Sequence, residues 1–339
     1  MKKKRELYFD FLNIFATLAV IYLHCNGSVR NYYGDDWGWR QSLGVEVWCF
    51  WAVPVFLMIS GATLMNYRAR YDTKTFLKKR FVKTAIPFLI WSLLAAWDLD
   101  LSFSSPAEFI DAIVNTRIEN VFWFFIPLFA VYLAMPVVSL LKDQRRILWY
   151  MAGGAVLLNS FCPILFGWIG LQWNTALSML TTGALLCLPI LGYLFATTDF
   201  SGKQRAVIYL LALLGGGLRY FVIYRQTIAA GEYNGWFGTQ GYADFHSVML
   251  ACGVFTLFKS FRPFRRWAER DKLSRFAAAL AGCSFGVYLS HMIVYRFLAN
   301  YIQEFSWEWR LLVPLLIYAI CVAGTALLKK IPVLKYIVP

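Results

Sequence analysis

Long apolar runs separated by short polar connectors repeat along the whole chain, and no sustained alternation at period 2 is present, which disfavours a β-barrel. Apolar runs of roughly 17 to 25 residues can cross the hydrocarbon core as helices. Ten spans are expected, at about 7–27, 43–66, 81–97, 118–141, 147–166, 177–196, 206–224, 241–259, 276–298 and 310–328. Pro54, Pro87, Pro127, Pro136, Pro189 and Pro314 fall inside these runs. Each removes a backbone hydrogen bond and tends to kink its helix, so the pattern predicts an irregular all-α membrane bundle with an interior cavity.

Composition agrees. Of 339 residues 59% are hydrophobic and 15% charged, and the mean hydropathy of +0.54 excludes an ordinary soluble domain. A net charge of +14 would suggest nucleic acid for a soluble protein; in a membrane protein its meaning lies in where the cations fall. An even number of spans puts both termini on one side, and 26 of the 33 Lys and Arg lie on that side, in Lys2–Arg5, Arg68–Lys83, Lys142–Arg146, Lys203–Arg205, Lys259–Arg275 and Lys329–Lys335. By the positive-inside rule both termini are cytoplasmic. The opening MKKKRE mimics the start of a signal peptide, but no small-residue cleavage site follows, so the first run reads as a retained helix. Seven scattered cysteines form no CxxC pair and no zinc-ligand spacing, which makes them small core residues and leaves no metal expected. With no soluble domain, low-complexity tract or internal repeat, residues 1–339 read as a single integral-membrane domain.

Polar groups inside such spans are costly and mark functional candidates. The first span, YFDFLNIFATLAVIYLHCNG, holds Asp10, Asn13 and His24. Asn13 precedes His24 by eleven residues, about 16 Å along the axis and within roughly 20° of the same face. An imidazole is a natural general base towards a hydroxyl, and equally a helix-end residue at the interface. Glu46 can orient that imidazole, or be a solvated boundary carboxylate. His291 lies deep in its span; His246 is the remaining histidine. Arg80 and Lys83 stand one turn apart, with Lys79 beside them, a set suited to phosphates or simply to the positive-inside signal and anionic lipid.

Taken together these segments resemble the membrane acyltransferase 3 family. The first span is similar to the family's opening helix, with Asp10 and a terminal histidine at His24, and VPVFLMISGATL to its second helix, with Ser60 and Gly61. FLKKRFVKTAIPFLIWS places Arg80 and Lys83 at paired basic positions, FWFFIPLFAVYLAMPVV carries Trp123 in the aromatic fourth helix, and SFGVYLSHMIV places His291 at a familiar histidine. Asn13 stands where the family commonly has a basic residue, and Val121 where it often has a histidine.

The resemblance implies a bacterial inner-membrane enzyme that transfers an acyl group, acetyl first among the candidates, from cytoplasmic acyl-CoA to a hydroxyl of a surface polysaccharide or lipid-linked sugar. His24 is then the catalytic base, with His291 in the catalytic set and Glu46 or Asp10 as orienting acid. Arg80, Lys83 and Lys79 are expected at the CoA phosphates, and Asn13, Ser60 and Trp123 at the substrate. A transporter or flippase, and a ligand-sensing bundle without catalysis, are the alternative readings.

Overall fold

The computed structural model describes residues 6–177, 184–235, 241–267 and 269–339, apart from the side chains of Thr175, Ala184 and Arg265. Lys2–Arg5 of the basic start, and residues 178–183 of the expected sixth span, lie outside the described residues.

All regular structure among the described residues is helical. The helices are α1 (Leu7–His24), α2 (Trp37–Trp48), α3 (Ala52–Leu64), α4 (Thr73–Asp98), α5 (Pro106–Val114), α6 (Phe125–Val138), α7 (Arg145–Ala155), α8 (Cys162–Trp168), α9 (Cys187–Thr197), α10 (Gly202–Ala230), α11 (Phe245–Ser260), α12 (Arg262–Trp267), α13 (Asp271–Ala299), α14 (Trp307–Leu311) and α15 (Val313–Leu328). Among the described residues, seven helical stretches are long and apolar enough to cross a membrane, and α9, α11 and α15 are shorter apolar helices. Leucines exposed along α10, including Leu210, Leu213 and Leu214, together with Leu93 of α4 and Leu133 of α6, give the bundle the lipid-compatible surface of a multi-pass membrane protein.

Local sequence sets the helix starts. Asp72 caps α4 by accepting from the Thr75 N–H, and Ser201 and Gln204 form a reciprocal capping box at α10. The second span is broken: α2 ends at Trp48, and α3 resumes at Ala52. Of the prolines, only Pro87 and Pro136 interrupt helix interiors. Pro54, Pro127, Pro189 and Pro314 instead fall in the first turns of α3, α6, α9 and α15, where the backbone N–H has no helical partner to lose. The irregularity therefore comes chiefly from helix ends, and from a π-helical turn at Val156–Phe161 between α7 and α8.

The tightest crossing is α3 against α9. A Cβ on Gly61 would stand 1.9 Å from the Pro189 carbonyl oxygen, and one on Gly192 1.9 Å from that of Met58. Only glycine permits this backbone contact, since packing between helices in lipid depends on close van der Waals approach. The crossing sits in the main core, with Leu57, Met58, Leu188 and Ile190 fully buried. At one end of the bundle lie Lys74–Lys83, Lys142 and Lys329. At the other, Arg296 of α13 bonds Asp98 of α4 at 2.6 Å and Glu119 at 2.7 Å, tying α4, α13 and the approach to α6 together.

Candidate functional site

Two helices distant in sequence bring the two predicted histidines together. His24 ends α1, and His291 lies two turns before the end of α13; their ring centroids are 5.1 Å apart. His291 is buried, and its Nδ1 meets the Tyr288 carbonyl oxygen at 2.7 Å. A carbonyl only accepts, so Nδ1 carries the proton in the neutral ring and donates it. That leaves the lone pair on Nε2, which is buried without a hydrogen-bond partner. Tyr288 is held in turn by its hydroxyl, which donates to the Val121 carbonyl. At position 121 the side chain is a buried apolar residue, and it is the backbone that serves this network.

Below the pair, towards the basic end, is a cavity of about 370 Å³. Asn13 of α1, Ser60 and Thr63 of α3, Arg80 of α4, and Gly282, Ser284 and Tyr288 of α13 line it, with Phe56 and Phe124. Three predicted residues thus meet in one space: Asn13, Ser60 and Arg80. The Arg80 guanidinium lies beside Tyr132. Its Nε is buried and has no hydrogen-bond partner. Among the described residues that line this cavity, Arg80 is the one with a charged side chain. Tyr288 lines the top of this space and precedes His291 by three residues, about 4.5 Å along the helix.

The other predicted residues are placed differently. Lys83 faces a neighbouring groove of about 390 Å³, shared with Lys329 and Lys335, although it is one turn from Arg80. Lys79 faces neither space; it is exposed, and its ammonium sits 4.5 Å over the Tyr71 ring. Asp10 is buried in the first turn of α1. Fourteen residues, about 21 Å of helix, separate it from His24, so it cannot orient that ring directly. Glu46 also differs from the expectation. Its ion-pair partner is Arg219, at 4.0 Å, while His24 has His291 as ring neighbour. Trp123 stacks on Tyr242 with centroids 5.2 Å apart and lines a separate, mostly apolar cavity of about 500 Å³ with Pro127, Leu185 and Leu186.

Sequence reading missed Arg219. It is nearly fully buried, lies 3.6 Å over the Phe50 ring, and closes a ladder in which Phe50 stacks on Tyr242 and Tyr242 on Trp123. His246 is buried next to Phe50. The signal was present: a lone Arg inside LLALLGGGLRYFVIY is an intramembrane ionisable residue and so a functional candidate. Among the described residues, no three His, Cys, Asp or Glu side chains cluster as a metal site.

The fold and this site define a helical, multi-pass membrane protein with a pair of imidazoles, one buried and one half-buried, above a cavity that Arg80 helps to line. Residues 6–328 match the family model described as an acyltransferase domain, and the chain belongs to this acyltransferase 3 family. Its chemistry is therefore transfer of an acyl group from a donor to an acceptor. Comparison with curated proteins and with solved structures gives no match.

Proposed function

We propose that the protein transfers an acyl group, acetyl in the first instance, from cytoplasmic acyl-CoA to a hydroxyl of a surface polysaccharide or lipid-linked sugar, in the inner membrane of a bacterium. In this reading the chain crosses ten times and its basic end is cytoplasmic. The observation that carries it is the placement of the His24–His291 pair directly above the Arg80 cavity, with Tyr288 as a wall of that cavity and its carbonyl holding His291. Arg80 supplies a half-buried cation with an unused Nε–H for a donor phosphate, Lys83 supplies point charge in the adjoining groove, and Lys79 adds to the field at the entrance. Asn13 and Ser60 offer hydrogen bonds along the path.

His24 takes the proton of the acceptor hydroxyl, whose oxygen forms an ester bond to the acyl carbon. The carbon–sulfur bond breaks, and the leaving thiolate recovers the proton. His291, its tautomer fixed by Tyr288, presents Nε2 as the second base of the pair, able to stabilise the protonated partner. Glu46 with Arg219, and Trp123 with Tyr242, stand as the polar and aromatic groups on the acceptor side.

Labelled acetyl-CoA supplied to membranes bearing wild type or His24→Ala tests this. Loss of a general base lowers the rate roughly 10²- to 10⁴-fold, so label in the glycan fraction should fall by about two orders of magnitude or more at equal protein level. Undiminished labelling overturns the role given to His24.

A further inference from the structure

The chain beyond the family-matched residues is docked, not loose. After α15 it turns back along α4: the Trp91 indole N–H donates to the Ile337 carbonyl at 2.9 Å, and Val338 is fully buried in a cluster with Phe88, Trp91 and Phe125. A single 3₁₀ turn, Leu334–Tyr336, carries Lys335 and the exposed Tyr336 ring. This strap forms one wall of the 390 Å³ groove, and Val82, Lys83 and Ile86 of α4 form the other. Lys83, Lys329 and Lys335 therefore line one groove from three separate segments, and among the described residues no carboxylate side chain lines it with them. Three like charges gathered this way repel, and an anion between them removes the penalty.

The groove and the Arg80 cavity adjoin at two points. Pro339 lines both. Lys329 also donates from Nζ to the Gly282 carbonyl at 2.6 Å, and Gly282 is a wall of the cavity.

We propose that the strap and α4 build a phosphate site that holds the 3′-phosphate of the CoA donor, while the rest of the donor enters the Arg80 cavity; this rests on the acyl-CoA reading above. A phosphate monoester carries close to two negative charges at neutral pH. Lysine binds it as a compact point charge. Tyr336 at the rim offers a face on which the adenine can stack. An anionic lipid headgroup presents the same phosphate chemistry, and the test separates the two.

The measurement is calorimetric binding of CoA and of 3′-dephospho-CoA to the full-length protein in nanodiscs. Wild type is expected to bind CoA about tenfold more tightly, the size of one charge-assisted contact. Lys335→Ala and Lys329→Ala should lose about tenfold in CoA affinity and nothing for 3′-dephospho-CoA. Lys335→Arg should retain most of the affinity, and Lys330→Ala, which lies outside the groove, should match wild type. Equal affinities of wild type for the two ligands, or wild-type CoA binding by Lys335→Ala, overturns the groove assignment and leaves the donor reading standing. No CoA binding by wild type overturns both. Nanodiscs with and without phosphatidylglycerol supply the second arm. If Lys335→Ala sheds retained anionic lipid in native mass spectra while CoA affinity is unchanged, the groove belongs to the lipid.

Discussion

Arg219 places a charge deep inside the bundle. Its side chain is 4% exposed, its Nε and Nη1 have no hydrogen-bond partners, and its charge is met by the Phe50 face and by Glu46 at 4.0 Å. Breaking a buried ion pair by removing one partner costs about 3–5 kcal/mol, because the other charge stays buried alone. Arg219→Met should therefore lower thermal stability in detergent, by about 3 kcal/mol, and Glu46→Gln/Arg219→Met should recover most of the loss. Additive losses in the double variant would show that the pair is not coupled. The sequence exposed His24 and Asn13 as polar residues in an apolar run and Arg80 in the basic stretch before the third, but gave no means of pairing them. His24 meets a ring 267 positions away in the chain, and Glu46, at a suitable depth, meets Arg219 instead. Depth along a helix is readable from residue count, whereas the direction a side chain faces depends on how helices rotate against one another.

Between helices, the reciprocal contact of α3 and α9 carries the corresponding constraint. A Cβ at Gly61 or Gly192 would overlap backbone, not a side-chain end that can swing away. Overpacking costs typically 1–3 kcal/mol, so Gly61→Ala and Gly192→Ala should each destabilise by about 3 kcal/mol in a thermal-shift measurement. Gly153→Ala, where nothing stands within 4 Å of the added carbon, should be neutral or better. A shift at Gly153 equal to that at Gly61 would remove the crossing as the cause. At this scale the apolar runs located every long helix, including α4, α10 and α13. They merged α2 and α3 into one span, because a break between two apolar helices leaves the hydropathy unchanged. They also overstated the prolines, four of which occupy first turns.

The whole molecule is polarised. Lysines and arginines of α4, α13 and the 329–339 strap crowd one end, and the Arg296–Asp98–Glu119 fork braces the other. If the basic end is cytoplasmic, a membrane-impermeant maleimide on intact cells should label Tyr33→Cys, and label Lys74→Cys only after permeabilisation, with Cys49 and Cys162 replaced. The reverse pattern overturns the orientation. Both positions are exposed.

The sequence by itself determined the class of protein, the helices, and the residues worth questioning, since hydropathy, charge placement and the acyltransferase-like motifs are properties of local strings. Tertiary structure alone decided which of those residues share a space. It set His24 against His291, put Arg80 in the cavity of Asn13 and Ser60, turned Lys83 towards Lys329 and Lys335, and drew Glu46 to Arg219. Those meetings are fixed by helix crossings as close as Gly61 on Pro189, and packing of that kind joins positions for which no local pattern records the distance.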